Sequence, residues 1–248
     1  EAVAMLQERG NTPTRGIDTS TAHRSHPDWV YGFAELTRGQ RAEIAGARFV
    51  SNPGCYSTGA IALIRPLVEA GLLATDAPVS INAVSGYTGG GKALIAQMED
   101  REREDHIASA HYLYALPLAH KHVPEIMARG GLKRRPIFTP SVARFRQGML
   151  VNIPLHLETL NGRPGMKEVH GMLEAHYHQQ SFVEVVPLAE SARFVRIEAE
   201  EMAGRDQLRI YVFGTEGTGT INLVASLDNL GKGASGAAVQ NLDIMTGR

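Results

Sequence analysis

Hydrophobic residues repeat with two different periods along this chain, and the period changes near its middle. In the first half, short apolar runs that predict strands alternate with longer apolar stretches that predict helices. From Leu150 to Glu158 apolar and polar residues alternate one by one, and the same alternation returns at 208–213 and 221–227. Strict alternation is typical of antiparallel strands with one covered face. The pattern therefore predicts an α/β part followed by an α+β layer on a mostly antiparallel mixed sheet.

Hydrophobic patterns predict several helices and a further strand in the two parts of the chain. The stretch after Cys55 predicts a buried helix that is kinked at Pro66, since proline removes the bond to Ala62, and that ends near Gly71. Further helices are predicted at 93–103, 166–178 and 234–245, and a further strand at 111–117.

The start of the chain resembles the later part of a nucleotide-binding unit. A helical pattern over residues 1–10 ends at a glycine and precedes a strand at 15–18. No strand, glycine-rich turn and helix that could bind a pyrophosphate comes before them. We therefore expect an N-terminal segment of the natural protein to be missing from this sequence.

Composition excludes several classes of protein. The 248 residues carry a net charge of −1, which gives no basis for binding nucleic acid. A single cysteine excludes an internal disulfide and fits a reducing compartment. There is no apolar run of membrane-spanning length and no signal peptide pattern. We expect a cytoplasmic globular protein that does not bind membranes.

The one cysteine lies at a position suited to chemistry. A strand pattern ends at Val50, Pro53 and Gly54 form a turn, and a helix begins at Cys55. The first turn of a helix has free backbone N–H groups and a positive partial charge, so a thiolate there is stabilised and its pKa falls. Composition alone favours a small buried hydrophobic residue. The turn and helix around Cys55 instead favour a nucleophile near neutral pH.

A glycine-rich loop raises a competing hypothesis. Residues 86–92 match G-x-x-x-x-G-K, the phosphate loop of nucleotide hydrolases, between a predicted strand and a predicted helix. The next residue is Ala93, where that motif needs a serine or threonine to bind Mg²⁺. The hydrolase hypothesis is therefore disfavoured, although the loop can still bind an anion through its backbone N–H groups.

Other polar residues allow two interpretations each. His120 and His122 are two apart and need not face the same way, and no metal site is expected because further ligands in a consistent frame are lacking. Ser20 follows a strand, where it either forms a turn or meets a nicotinamide or its ribose. Arg24 is either a substrate contact or an exposed surface residue.

Five segments, in matching order, resemble the N-acetyl-gamma-glutamyl-phosphate reductase family, the third enzyme of arginine biosynthesis, in its shorter bacterial form. The segments are DTSTAHR at 18–24, NPGCY at 52–56, VSGYTGGGK at 84–92, HKHVPE at 120–125 and LDNLGKGASG at 227–236.

The resemblance implies a domain organisation and a reaction. Residues 1–54 would be the remainder of a Rossmann-type NADP-binding domain, to which a C-terminal helix at 231–248 returns. Residues 55–230 would form the catalytic and dimerisation domain of a homodimer or homotetramer. The implied reaction reduces N-acetyl-glutamyl 5-phosphate to the 5-semialdehyde with NADPH, through a thioester, and releases phosphate.

The resemblance also implies roles for individual residues. Cys55 would be the nucleophile and His120 the acid–base residue, although His120 and His122 could exchange roles. The implied substrate-binding residues are His122, Lys92 and Arg24. The implied cofactor-binding residues are Ser20, Gly86, Gly89 and Asn229.

Two alternatives stay open from the sequence. One is another semialdehyde dehydrogenase of the same class, acting on aspartate semialdehyde. The other is a truncated, non-catalytic fragment that keeps the sheet but does not bind the cofactor.

Overall fold

The computed structural model describes residues 14–248, together with Met5 and Gly10. The helix expected over residues 1–10 therefore lies largely outside the described residues. Within them, the strands form two sheets. The strands are β1 (Gly16–Asp18), β2 (Val30–Tyr31), β3 (Phe49–Ser51), β4 (Ser80–Gly86), β5 (His111–Leu113), β6 (Ile137–Ala143), β7 (Met149–His156), β8 (Val183–Val185), β9 (Leu208–Gly214) and β10 (Thr220–Leu227). The helices are α1 (Gln40–Gly46), α2 (Cys55–Glu69), α3 (Gly91–Glu99), α4 (Val123–Gly130), α5 (Met166–His176), α6 (Leu188–Ser191) and α7 (Gly236–Thr246), with 3-10 turns at Tyr87–Gly90 and Leu157–Thr159 and a π-helical turn at Gly231–Ser235.

The smaller sheet is parallel and belongs to the first part of the chain. Its strands run in the order β1-β3-β2 in the described residues. A separate small core joins this sheet to the last helix, with Val50 of β3, Ile44 of α1 and Ile244 of α7 in contact. Because β3 ends at Ser51 and α2 begins at Cys55, the carboxyl edge of this sheet leads directly into the cysteine turn. Open α/β sheets bind their ligands at that edge.

The larger sheet carries the alternating segments, and its topology confirms the predicted mostly antiparallel mixed sheet. Its order is β5-β6-β4-β7-β10-β9-β8. Only the β4–β6 and β8–β9 pairs are parallel among its described strands. In β7, Val151, Ile153 and Leu155 are buried while Pro154 and His156 are exposed. This alternation places a hydrophobic face against the helices.

Helices cover one face of the larger sheet and a loop covers part of the other. Helix α2 packs on β7 and β10 and contacts α4 and α5. On the opposite face Tyr211 is fully buried, and its hydroxyl donates to Glu201 at 2.8 Å. Ile197 packs in the same cluster, and Phe213 stacks on Tyr211 while remaining half-buried. The loop carrying Ile197 and Glu201 thus covers part of the face for which the sequence predicted packing.

The central helix α2 continues past its internal proline as one element. Pro66 has no N–H for the carbonyl of Ala62, and that carbonyl accepts a hydrogen bond from the Tyr177 hydroxyl at 2.8 Å. Gly71 follows the helix with φ +72°, which confirms the predicted helix end. A distant tyrosine therefore satisfies the carbonyl that the proline leaves free.

Two predicted boundaries were wrong. The strand predicted at 111–117 ends at Leu113, and Ala115 and Leu118 beyond it have left-handed backbones with φ of 52° and 58°. Helix α3 spans Gly91–Glu99 instead of 93–103. No described helix combines the length and the apolar character required to cross a bilayer.

Candidate active site

A cavity of about 590 Å³ lies between the cysteine turn and the glycine loop, here defined as residues 86–91. One end, the polar end, is lined by Arg24, residues 52–56, Tyr114 and residues 120–122. The other end, the glycine end, is lined by Gly86, Thr88, residues 89–91, Leu94, Asn229 and Leu230. Gly233 and Ala234 also line the cavity, and they lie beside the cysteine turn. The cavity thus brings together residues of all five segments that the sequence singled out, with Thr19 and Arg24 contributed by the first segment.

Cys55 is the first residue of α2, as predicted, with Gly54 as the N-cap. The π-helical turn packs closely against it, since a Cβ at Gly233 would lie 2.8 Å from the Cβ of Cys55. The cysteine is half-buried and faces the cavity from the edge of the main core. Its position in the first turn follows from local sequence alone.

The low pKa expected for Cys55 was wrong. Burial raises the pKa of the Cys55 thiol to about 11, and the negative charge of Glu125 acts in the same direction. The backbone N–H groups of Tyr56 and Cys55 and the charge of Arg24 favour the thiolate, and they lower the pKa by less than burial raises it. Cys55 therefore rests as a neutral thiol.

Glu125 connects the cysteine turn to three other parts of the chain. This buried carboxylate accepts hydrogen bonds from the backbone N–H of Gly54 at 2.9 Å and from the hydroxyl of Tyr31 at 2.7 Å. Its other oxygen accepts from Ser57 Oγ at 2.7 Å and from Arg24 Nη1 at 3.4 Å. The sequence analysis assigned no role to Glu125, although the residue closes the HKHVPE segment.

Arg24 is buried, and each nitrogen of its guanidinium donates a hydrogen bond within the protein. Besides Glu125, it donates to the carbonyls of Asn52 and Thr19, both at 2.9 Å. A Cβ at position 54 would clash with Arg24 Nη1 and His122 Nε2, so glycine allows both groups to approach the turn. Arg24 is a site residue and is not the exposed surface arginine of the alternative interpretation.

His120 has two hydrogen bonds that define its neutral form. Its Nδ1 accepts from the backbone N–H of His122 at 3.1 Å. The proton of the neutral ring is therefore on Nε2, which lies 3.1 Å from the hydroxyl of Tyr114. Burial and the charge of Lys121 lower the pKa of His120 to about 4, so the ring is neutral near pH 7.

His122 is more deeply buried than His120, and its ring forms fewer hydrogen bonds. Its Nδ1 has no hydrogen-bond partner among the residues that the structure describes. Burial, together with the charges of His120, Arg24 and Lys121, lowers its pKa well below the usual value. The two histidine rings lie 4.7 Å apart between centroids, so the predicted pair shares one site.

At the glycine end, Asn229 fixes the glycine loop. Its side chain accepts from the N–H of Gly148 at 2.9 Å and donates to Thr88 Oγ1 at 3.0 Å. Gly86 and Gly89 both line the cavity, in agreement with their expected location. None of the described residues that line this end has a charged side chain.

Two predicted site residues do not line the cavity. Ser20 is exposed, and its N–H and hydroxyl donate to the Asp18 carboxylate at 2.9 and 2.8 Å, which is the turn chemistry of the alternative interpretation. Lys92 is exposed at the start of α3. Thr19, whose hydroxyl shares the strand end with Ser20, does line it, as do Tyr114 and Lys121, which no sequence pattern had marked as site residues.

Comparison with known proteins identifies the family. The family model "Semialdehyde dehydrogenase, dimerisation domain" matches residues 55–229. N-acetyl-gamma-glutamyl-phosphate reductases from Brucella ovis and Brucella suis are 64% identical over 248 residues, which is 100% of this chain and 79% of each relative. The chain belongs to the N-acetyl-gamma-glutamyl-phosphate reductase family. It is therefore an oxidoreductase, and reductases of this type use a nicotinamide cofactor.

Solved structures agree on the fold of this reductase family member. Aspartate semialdehyde dehydrogenase II from Vibrio cholerae has a TM-score of 0.71 at 18% identity, covering 99% of this chain and 76% of that one. The enzyme from Francisella tularensis has a TM-score of 0.70 at 11% identity, covering 98% and 78%. The matched dimerisation domain indicates that the reductase oligomerises. No group of potential metal ligands occurs among the described residues.

Proposed function

We propose that this chain catalyses the NADPH-dependent reduction of N-acetyl-glutamyl 5-phosphate to N-acetyl-glutamate 5-semialdehyde, a step of arginine biosynthesis in the cytoplasm. The observation that carries this proposal is Cys55 at a helix start, facing a cavity that it shares with Arg24 and two neutral histidines. The identity of 64% to reductases of that name supports the substrate.

The sulfur of Cys55 attacks the acyl carbon of the substrate. A carbon–sulfur bond forms, the carbon–oxygen bond to phosphate breaks, and the leaving phosphate carries away the electron pair. Because the resting thiol is protonated, its proton must pass to a base during the attack. A neutral imidazole with a free ring nitrogen can accept that proton, and His122 has one, since its Nδ1 has no hydrogen-bond partner among the described residues. The product of this step is a thioester on Cys55.

The backbone around Cys55 stabilises charge as it develops. The N–H groups at the start of α2 already favour the thiolate form of the sulfur, and they have the position of an oxyanion-binding pair. Glu125 fixes this turn by accepting the N–H of Gly54 and the hydroxyl of Ser57. The turn is thus positioned before substrate arrives, which lowers the cost of reorganisation.

We assign proton transfer to His120 and substrate binding to His122. The Nε2–H of neutral His120 is a donor, which suits protonation of the oxygen that becomes negative when the thioester is reduced. His122 lies beside Gly54 with Nδ1 unpaired, and this observation favours a second candidate in which His122 accepts the thiol proton. The two histidines then act in sequence.

The glycine end of the cavity fits the nicotinamide of NADP. The described residues that line it have no charged side chain, which suits the neutral dihydronicotinamide of NADPH and its carboxamide. Gly86, Gly89 and Asn229 would contact the ring, and Ser20 stays a candidate for the ribose side. Bound there, the cofactor supplies a hydride to the thioester carbon. Titration of the protein with NADPH tests this, and absence of binding favours the cofactor-free alternative.

The domain division and the assembly are part of the same proposal. Residues 1–54 and 231–248 form the nucleotide-binding part, and residues 55–230 form the catalytic and dimerisation part. The contact of α7 with β1 and α1 supports this division. The assembly would be a homodimer or homotetramer. Lys92 stays a candidate substrate contact that requires movement of α3.

A rate assay with matched variants tests the mechanism. Cys55→Ser should abolish phosphate-dependent reduction of NADP by the semialdehyde. His120→Asn should reduce kcat by roughly 10²–10⁴, and His122→Asn should act mainly on KM if it binds substrate. Substantial turnover by Cys55→Ser contradicts the thioester. Aspartate semialdehyde, offered in parallel, should be the poorer substrate, and the reverse preference would establish the aspartate alternative.

A further inference from the structure

Few of the basic side chains at the polar end of the cavity have a positive charge that is free to bind an anion. Arg24 is the one buried arginine among its lining residues. Glu125 lies 3.4 Å from its Nη1 and neutralises it, and two backbone carbonyls accept from Nε and Nη2. Part of Arg24 can still face an anion, but its charge is already balanced.

The two histidines add no charge in the resting state. Burial lowers the pKa of both rings, so both are neutral near pH 7. The substrate of the proposed reaction, in contrast, has an acyl phosphate at one end and an α-carboxylate at the other. A cation besides Arg24 would strengthen the binding of the second anionic group through charge-assisted hydrogen bonds.

Lys121 is the remaining cation among the residues that line the cavity. It lines the cavity between the two histidines in sequence and is exposed at the polar end. Among the described residues it forms no ion pair with a carboxylate, whereas buried Lys232 does. Its charge reaches into the site, because it contributes to the lowered pKa of both His120 and His122.

We propose that Lys121 is a specificity-determining residue that binds the α-carboxylate of the substrate at the mouth of the cavity. This inference rests on the proposed function. The acyl phosphate must lie at Cys55, where Arg24 and the helix N–H groups lie. The α-carboxylate is four bonds along the chain from the reacting carbon, which directs it away from the buried turn and towards the exposed ammonium of Lys121.

The reverse reaction separates the two anions, because the semialdehyde carries the carboxylate and inorganic phosphate is added independently. With Lys121→Met we expect the KM for N-acetyl-glutamate 5-semialdehyde to rise about tenfold to a hundredfold, the range for losing a charge-assisted hydrogen bond. The KM for phosphate and kcat should stay within about threefold of wild type. Lys121→Arg should restore most of the affinity, and the exposed Lys133→Met serves as the control.

A neutral analogue supplies a second readout. The α-methyl ester of the semialdehyde should lose about as much kcat/KM with the wild-type enzyme as the acid loses with Lys121→Met. The ester should not distinguish the two enzymes. Unchanged kinetics in Lys121→Met, or a rise confined to the KM for phosphate, overturns the role of Lys121. No turnover of the semialdehyde by the wild-type enzyme instead overturns the proposed function.

Discussion

Cys55 experiences opposing influences within a few ångströms. The helix start favours its anionic form, while burial and the carboxylate of Glu125 favour the neutral thiol, and the neutral form prevails. Glu125 also binds the cysteine turn, because it accepts hydrogen bonds from Gly54 and Ser57. A single residue thus orders the nucleophile and raises its pKa.

The pH dependence of Cys55 alkylation tests this balance. A thiol with a pKa of about 11 is almost entirely protonated at neutral pH. Since only the thiolate reacts, the rate of alkylation by iodoacetamide should rise about tenfold per pH unit from pH 7 to 10. Glu125→Gln should shift the curve to lower pH, because it removes a charge that disfavours the thiolate. The rate is measured by quenching the alkylation at successive times and determining the labelled fraction by mass spectrometry.

The chain supplies its own control for this measurement, because Cys55 is its only cysteine and every labelled molecule reports on one sulfur. Circular dichroism at each pH confirms that the fold persists. A rate that levels off at or below pH 8 would contradict the raised pKa and restore the thiolate expected from sequence.

For individual residues, the sequence predicts where a side chain lies better than it predicts the pKa of that side chain. Proline, glycine and the apolar run place Cys55 at a helix start because those signals are local. The pKa depends on burial and on Glu125, which is 70 positions away along the chain, so local signals miss it. Ser20 has good turn chemistry in either interpretation, and only its bonds to Asp18 show which chemistry it uses.

Among the elements, α2 illustrates how distant contacts complete a local pattern. Apolar periodicity predicts the helix, and Pro66 predicts a free carbonyl at Ala62. Nothing in the sequence identifies Tyr177, beyond the end of α5, as the donor to that carbonyl. The helix can therefore be predicted from sequence, whereas the contact that allows proline inside it cannot.

A double-mutant cycle tests the contact between Tyr177 and Ala62. Tyr177→Phe leaves a buried carbonyl unsatisfied and should lower the free energy of unfolding by about 1–3 kcal/mol. In a Pro66→Ala background the new N–H can bond to Ala62, so the same change should cost clearly less. Urea denaturation measures all four proteins. Tyr112→Phe is the control, because that hydroxyl forms no hydrogen bond with any residue that the structure describes, and equal costs in both backgrounds would argue against the contact.

Strand β5 is an element whose end could not be predicted from the sequence. Its aromatic and apolar residues predict a strand to position 117, but left-handed residues at 115 and 118 end it early. A glycine indicates where the backbone can become left-handed, whereas an alanine or a leucine in that conformation gives no such indication in the sequence. The loop that results is the one that brings Tyr114 to His120.

Over the whole molecule, a buried triangle of polar side chains joins three separate segments. Lys232 Nζ donates to Glu35 Oε2 at 2.7 Å and to Gln240 Oε1 at 2.6 Å, and Gln240 Nε2 donates to Glu35 Oε1 at 2.7 Å. Lys232 belongs to the π-helical turn that packs on Cys55. The triangle therefore links the cavity wall to α7 and to the segment after β2. No local sequence pattern predicts this triangle, because its members are scattered over more than 200 positions.

Replacing Lys232 should destabilise the molecule more than replacing any exposed lysine. Lys232→Met removes one partner of a buried ion pair and leaves the charge of Glu35 uncompensated, at a cost of about 3–5 kcal/mol in unfolding free energy. Adding Glu35→Gln removes that charge, so the double variant should be more stable than Lys232→Met alone. Lys167→Met, which loses an exposed pair with Glu216, should leave stability nearly unchanged. Urea denaturation of the four proteins decides the matter, since a double variant less stable than Lys232→Met would show that the triangle stabilises through packing and not through paired charge.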